Sequence, residues 1–254
     1  MTNKLSTAFT SKKALIPFVT AEYPSLDMTK RLLVAAARAG ADALEVSIPF
    51  SDPVAGGITI QRADESALQA GTTMDGVFDM LREVRRETEI PLLVMSYINP
   101  IYVYGIERFF ERCAAFGVDV LSVPDVPFEE RELLVPYCRK YDVKLTCMIA
   151  SGTQERIHTL AKVAQGFVSI APVPSTRPEI ITDPSKIISL VKEEQDIPCV
   201  IGCDAASPEE LPPFLPLLDG IVVDTQLVQK IEQYGEDGIE PCCEYIRSMK
   251  QALC

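Results

Sequence analysis

Short runs of apolar, β-favouring residues recur along the chain, and turn residues close off each one. Eight stand out, at 15–19, 43–48, 92–96, 120–123, 144–149, 167–171, 199–202 and 220–223. Between them lie segments with helical spacing, at 29–39, 74–87, 106–116, 129–141, 154–164, 184–194 and 208–217. The 29–39 segment is the cleanest, with Gly40 placed as its C-cap. Strands that alternate with helices must pair in parallel through right-handed crossovers. Eight such units predict an α/β fold, a closed (β/α)8 TIM barrel, with residues 1–254 as one domain. A doubly wound open sheet is the competing architecture. It usually has fewer strands and a glycine-rich turn after the first, whereas the turn here is Thr20-Ala21-Glu22-Tyr23-Pro24. The long interval from Ala43 to Pro91 predicts an extended loop after strand 2. Pro212, Pro213 and Pro216 predict a short or interrupted seventh helix.

Composition narrows the function classes. Lys and Arg total 24 against 36 Asp and Glu, a net charge of −12. That argues against non-specific nucleic-acid binding and anionic membranes, both of which need a basic face. No apolar run is long enough to span a bilayer. The opening MTNKLSTAFTSKKAL has no apolar core of a secretory leader, so a cytoplasmic location is expected. Eight cysteines occur without a C-x-x-C pair and with one histidine, His158, so no metal site is expected. Reduced thiols are the reading that follows.

In a barrel of this kind the chemistry sits at the C-terminal ends of the strands. Glu45 lies inside the run Ala43-Leu44-Glu45-Val46-Ser47-Ile48. Period-2 alternation sends Leu44, Val46 and Ile48 outward to the helices, and Glu45 into the barrel with Ala43 and Ser47. A buried carboxylate with few partners has a raised pKa, which suits a general acid or base near neutral pH. A structural carboxylate paired to an interior Lys or Arg is equally compatible with that position. Elsewhere the signals are weak. His158 reads as a surface helix residue. Cys203, at a strand end, lacks a neighbouring histidine to activate it. Cys242 and Cys243 read as unreactive thiols, and Lys12, Lys13, Arg85 and Arg86 as solvated charges.

Several segments resemble the tryptophan synthase α subunit family. They are Pro17-Phe18-Val19-Thr20-Ala21, Gly40-Ala41-Asp42-Ala43-Leu44-Glu45 and Pro49-Phe50-Ser51-Asp52-Pro53-Val54-Ala55. Further matches are Gly57-x-x-Ile60-Gln61, Tyr97-Ile98-Asn99-Pro100-Ile101 with Tyr104-Gly105, and Asp125-Val126-Pro127. The resemblance runs from about Pro17 to Lys230 and implies a (β/α)8 barrel. The implied reaction is retro-aldol cleavage of indole-3-glycerol phosphate to indole and glyceraldehyde 3-phosphate, a step of tryptophan biosynthesis. It implies no cofactor in this chain, with PLP in a partner β subunit, and assembly with that subunit in an α2β2 complex. Glu45 matches the family's proton-shuttling glutamate. Asp52, Pro53, Asn99, Pro100, Asp125 and Pro127 match positions that face the β subunit, although Asn, Asp and Pro also simply terminate strands.

The departures fall at substrate-contacting positions. The family pattern P-F-S-D-P-x-A-D-G carries a second carboxylate that steadies the indole N–H, and Gly56 stands in its place. Loss of a charge acting only in the transition state costs orders of magnitude in rate. Positions implied to contact substrate or phosphate are Thr176, Arg177, Gly202, Asp204, Asp224 and Thr225. Asp204 and Asp224 would repel a dianion. Pro172, Pro174 and Pro178 remove N–H donors, and Arg177 offers partial compensation. Ser169 replaces a family tyrosine. The expectation is a family member with weakened or lost lyase activity that persists as a binder and activator of a β subunit. The alternative is a barrel enzyme with a changed substrate, cationic or metal-bound. A residual lyase, with another acid filling the empty position, is the third option.

Overall fold

The computed structural model describes residues 4–10, 13–171 and 173–254. Pro172 and Lys12 lie outside the described residues. The strands are β1 (Ala14–Thr20), β2 (Leu44–Ser47), β3 (Leu92–Met95), β4 (Val120–Ser122), β5 (Lys144–Leu145), β6 (Cys147–Ala150), β7 (Val168–Ala171), β8 (Cys199–Gly202) and β9 (Gly220–Val223). All pair in parallel, in the order β5-β4-β3-β2-β1-β9-β8-β7-β6. The two ends of that order are consecutive in sequence. β5 pairs with β4 and β6 with β7, and Thr146 joins them with its N–H on the Leu121 carbonyl at 3.0 Å. The predicted fifth strand is therefore split in two, and chain continuity through Thr146 brings the two ends of the order together in a nearly closed barrel.

Alternation sorts side chains as expected. Leu44, Val46 and Ile48 of the second run pack outward in one cluster with Leu32, Leu33, Phe78 and Leu81. Those partners lie on α1 (Leu26–Ala39) and α3 (Met74–Glu87). The inward set Ile16, Ala43, Leu93, Val120, Phe167 and Val200 fills the lower barrel, with Leu5 and Ala8 of a 3-10 turn packed against it. Glu45 sits one register step above, opposite Phe18 on β1 and Leu93 on β3.

The stretch after strand 2 is helical where an extended loop is predicted. It forms α2 (Ile58–Gln69), which begins right after the glycine pair. A second unpredicted helix, α4 (Ile98–Tyr104), precedes α5 (Ile106–Ala115). The next connection is a 3-10 turn over Phe128–Leu133 followed by α6 (Val135–Tyr141), with Pro136 in the helix's first turn. Then come α7 (Gln154–Val163) and α8 (Pro184–Glu194). The seventh crossover is only two 3-10 turns, Pro208–Glu210 and Leu215–Leu217, as its prolines demand. Two helices follow the last strand, α9 (Thr225–Tyr234) and α10 (Ile239–Leu253). Among the described residues no helix is long and apolar enough to cross a membrane.

Arg85 is not a solvated charge. Its guanidinium donates to the carbonyls of Thr88 (3.2 Å), Ile90 (2.8 Å) and Gly117 (2.7 Å) and to Asp119 Oδ2 (3.2 Å). The end of α3 turns it back onto the loops that start β3 and β4, where the carbonyls converge.

Candidate active site

A cavity of about 620 Å³ occupies the mouth of the barrel at the strand C-terminal ends. Phe18, Met95 and Phe167 give it apolar walls, and Glu45, Asp204 and Asp224 are the charged side chains that line it. No Lys, Arg or His is among its lining residues. Glu45 therefore has no basic partner there, and the structural-pair reading of it falls. Glu45 is 7% exposed and accepts no hydrogen bond among the described residues. Burial pushes its carboxyl up to about 7, and the negative charge of Asp224 adds to the shift.

Asp224 ends β9 and caps α9. Its Oδ1 accepts from the Thr225 N–H at 2.5 Å, while its carbonyl accepts from Leu227 and Val228. Burial raises its carboxyl to about 6; the Thr225 N–H opposes this, and Asp204 adds to it. The helix N-terminus that a phosphate would use therefore already holds a carboxylate. Gly202 and Ser169 also line the cavity. Thr225, Thr176 and Arg177 do not. Arg177 is exposed and paired with Glu179, its Nε 2.7 Å from Oε1, so its guanidinium is engaged outside the barrel mouth.

Gly56 lies on the cavity wall beside Val54, Ala55 and Ile60. A Cβ there would stand 3.1 Å from two side-chain atoms of Ile60. Tyr97 holds this loop in place, because its hydroxyl accepts from the Ala55 N–H at 3.2 Å and its ring packs on Phe50 at 5.1 Å.

One residue escaped the sequence reading. Asp64 is 1% exposed on the inner face of α2, with Ile60, Ala63 and Ala67. Oδ1 accepts from the Thr20 hydroxyl at 3.3 Å, and Oδ2 has no partner. Burial pushes the carboxyl up to about 7, against the pull of the Phe50 N–H and the Thr20 hydroxyl. Asp64 does not line the cavity, so it does not stand in for a carboxylate at Gly56. The available signal was a lone carboxylate at helical spacing on a small apolar face.

The residues that the resemblance matches to positions facing the β subunit lie at the barrel rim. Asp52 is exposed and accepts from Ser51 Oγ at 2.6 Å, with Pro53 next to it. Asn99 and Pro100 lie in the first turn of α4, and Pro127 precedes the 128–133 turn. Asp125 also has a local task, since both its oxygens accept from the Ile98 N–H at 3.1 Å. The same segments expose Val54 (76%), Ile58 (62%), Tyr102 (68%) and Val103 (77%). Exposed apolar residues are ordinary singly, and here two stand on α4 and two on the loop before α2 and its first turn. His158 pairs with Glu194 at 2.9 Å on the outer helices, away from the mouth. Burial pushes the Cys203 thiol up, which disfavours a nucleophilic role. Cys242 and Cys243 are buried core thiols. No group of three or more His, Cys, Asp or Glu among the described residues could hold a metal ion.

A family model described as tryptophan synthase alpha chain matches residues 6–253. The tryptophan synthase alpha chain of Bacillus cereus (strain AH820) is 36% identical over 244 residues, covering 94% of this chain and 93% of its own. The crystal structure of tryptophan synthase subunit alpha from Legionella pneumophila superposes with a TM-score of 0.89 at 28% identity, covering 100% and 99% of the two chains. A structure of the tryptophan synthase α2β2 complex from Pyrococcus furiosus, described in terms of mutual activation, superposes with a TM-score of 0.84. It is 28% identical, covering 94% and 98%.

Proposed function

This chain belongs to the tryptophan synthase alpha chain family, and on that premise we propose that its own lyase activity is weakened or lost while it binds and activates a β subunit. The observation that carries the reading is the carboxylate on the N-terminus of α9, in a cavity lined by acids and no base. The family's chain carries no cofactor, and PLP chemistry belongs to the β subunit. We take residues 1–254 as one barrel unit in a cytoplasmic setting, which suits its eight free thiols.

The family reaction divides into parts that this chain fills unequally. Cleaving the bond between the indole C3 and the glycerol chain requires a proton delivered to C3 and another removed from the neighbouring hydroxyl. Glu45, with a pKa of about 7, is part protonated at neutral pH and fits both tasks. The electron pair of the breaking bond returns into a ring made cationic by protonation, and a carboxylate near the ring N–H must steady that charge. Gly56 has no side chain to do so. Loss of one such electrostatic contact typically lowers turnover by about 10²–10³. Asp204 and Asp224 further repel a dianionic phosphate.

On the docking side, Asp52, Pro53, Asn99, Pro100, Asp125 and Pro127 sit beside the exposed Val54, Ile58, Tyr102 and Val103. Exposed apolar side chains set among polar ones fit a protein interface. The test is indole release from indole-3-glycerol phosphate, together with the rate of a β subunit with and without this chain. The expected results are indole release below about 0.01 per second, against an enzyme median near 10 per second, and a several-fold faster β reaction. Ordinary lyase turnover, or a β rate indifferent to the chain, overturns the proposal.

A further inference from the structure

The geometry points to an organic ammonium ion with a ring-sized apolar body as the ligand of the barrel-mouth cavity, its charge held by Asp204 and Asp224. This assignment rests on the reading that the mouth has given up phosphate.

Charge is the first argument. The charged side chains on the cavity wall are all carboxylates, with no base among the lining residues. Asp224 also occupies the amide end of α9, so the helix dipole that would draw an anion is already satisfied. Glu45 supplies an independent observation. It is more than nine-tenths buried, lines the cavity and has no hydrogen-bond partner among the described residues. An unpaired buried carboxyl is costly, and a donor on a bound ligand would relieve that cost. Size and polarity supply the rest. A volume of about 620 Å³ falls in the small-molecule range of roughly 300–1,000 Å³. Phe18, Met95 and Phe167 offer apolar surface to a ring, while the two aspartates wait at the strand ends. A bare metal ion fits less well, since the acids do not gather into a set that could hold one.

The test compares tryptamine, 3-indolepropionate and inorganic phosphate by calorimetric titration at about neutral pH and low salt. The two indoles share a ring and a similar side-chain length but differ in charge. Tryptamine is expected to bind with Kd below about 1 mM, and the two anions at least tenfold more weakly, a gap of about 1.4 kcal/mol. The double variant Asp204→Asn/Asp224→Asn should lose at least tenfold in tryptamine affinity. Asn at 224 keeps the helix cap, and Asp204→Asn alone, at an exposed position, serves if the double variant melts. Equal or tighter binding of either anion overturns the assignment. So does no tryptamine binding at several millimolar, or undiminished affinity in the variants. The β-activation assay does not involve these residues, so tryptamine binding with no β activation would sink the proposed function and leave this assignment standing. Ordinary lyase turnover would instead remove the premise itself.

Discussion

At the residue scale, single positions divide between those a sequence displays and those only packing explains. Glu45 was legible because one carboxylate in an alternating apolar run has to point inward. Its lack of a partner was not legible, because that depends on what β8 and β9 bring opposite. Asp64 was hidden by the glycines before α2, which make the segment read as loop. Its folded-state pKa of about 7 is raised above the ordinary 3.8. The folded protein therefore holds a proton that the unfolded chain has released, and stability from this group falls as pH rises from about 4 to about 7. Asp64→Asn removes that dependence. It should stabilise the protein at pH 8 by on the order of 3 kcal/mol, and by much less at pH 5. Urea midpoints at the two pH values measure this, and an equal shift at both would show the carboxyl to be uncoupled. Gly56→Asp makes the complementary case. A side chain there meets Ile60 at 3.1 Å and leaves Asp204 and Asp224 in place. Indole release should rise less than about tenfold. A gain of about 10² or more would mean that the missing carboxylate alone limits the reaction.

At the element scale, most strands were readable because they are buried on both faces and so almost wholly apolar. Four helices escaped: α9 and α10 after the last strand, and α2 and α4, which sit on the barrel rim with residues that answer to the loops they anchor rather than to a clean amphipathic period. Tyr97 illustrates this, fixing the Gly56 loop through the Ala55 N–H. The split of the fifth strand at Thr146 was invisible because both halves carry the same pattern. Arg85 and Arg86 show how adjacent residues diverge within one element. The Arg85 side chain is 9% exposed and ties α3 to the starts of β3 and β4, while Arg86 is 66% exposed and, among the described residues, pairs with Glu83. Arg85→Met takes the donor from three part-buried carbonyls and the ion-pair partner from Asp119, which keeps the Lys4 and Leu92 N–H groups, and should cost about 3–5 kcal/mol. Arg86→Met should fall within about 0.5 kcal/mol. Chemical denaturation of the two variants checks the contrast, and comparable losses would contradict it.

At the scale of the whole molecule, the proposed function puts two tasks at one end of the barrel. Tyr102 and Val103 on α4 and Ile58 at the start of α2 are exposed and do not line the cavity, while Val54, in the loop before α2, is exposed and also lines it. On the proposed function, changes in the cavity need not alter the α4 part of the rim. The same separation makes the activating role testable without touching Glu45, Asp204 or Asp224. Val103 is 77% exposed, so Val103→Glu removes little from the fold and should leave the melting temperature unchanged. Placed in an apolar interface it would bury an unpaired charge, at a cost of several kcal/mol. Stimulation of a β subunit should then fall at least tenfold at fixed chain concentration and recover in part when more chain is supplied. Tryptamine affinity should not change in the same variant. Undiminished stimulation would place the β-binding surface elsewhere on the barrel. A parallel loss of tryptamine binding would show that rim and cavity act as one site.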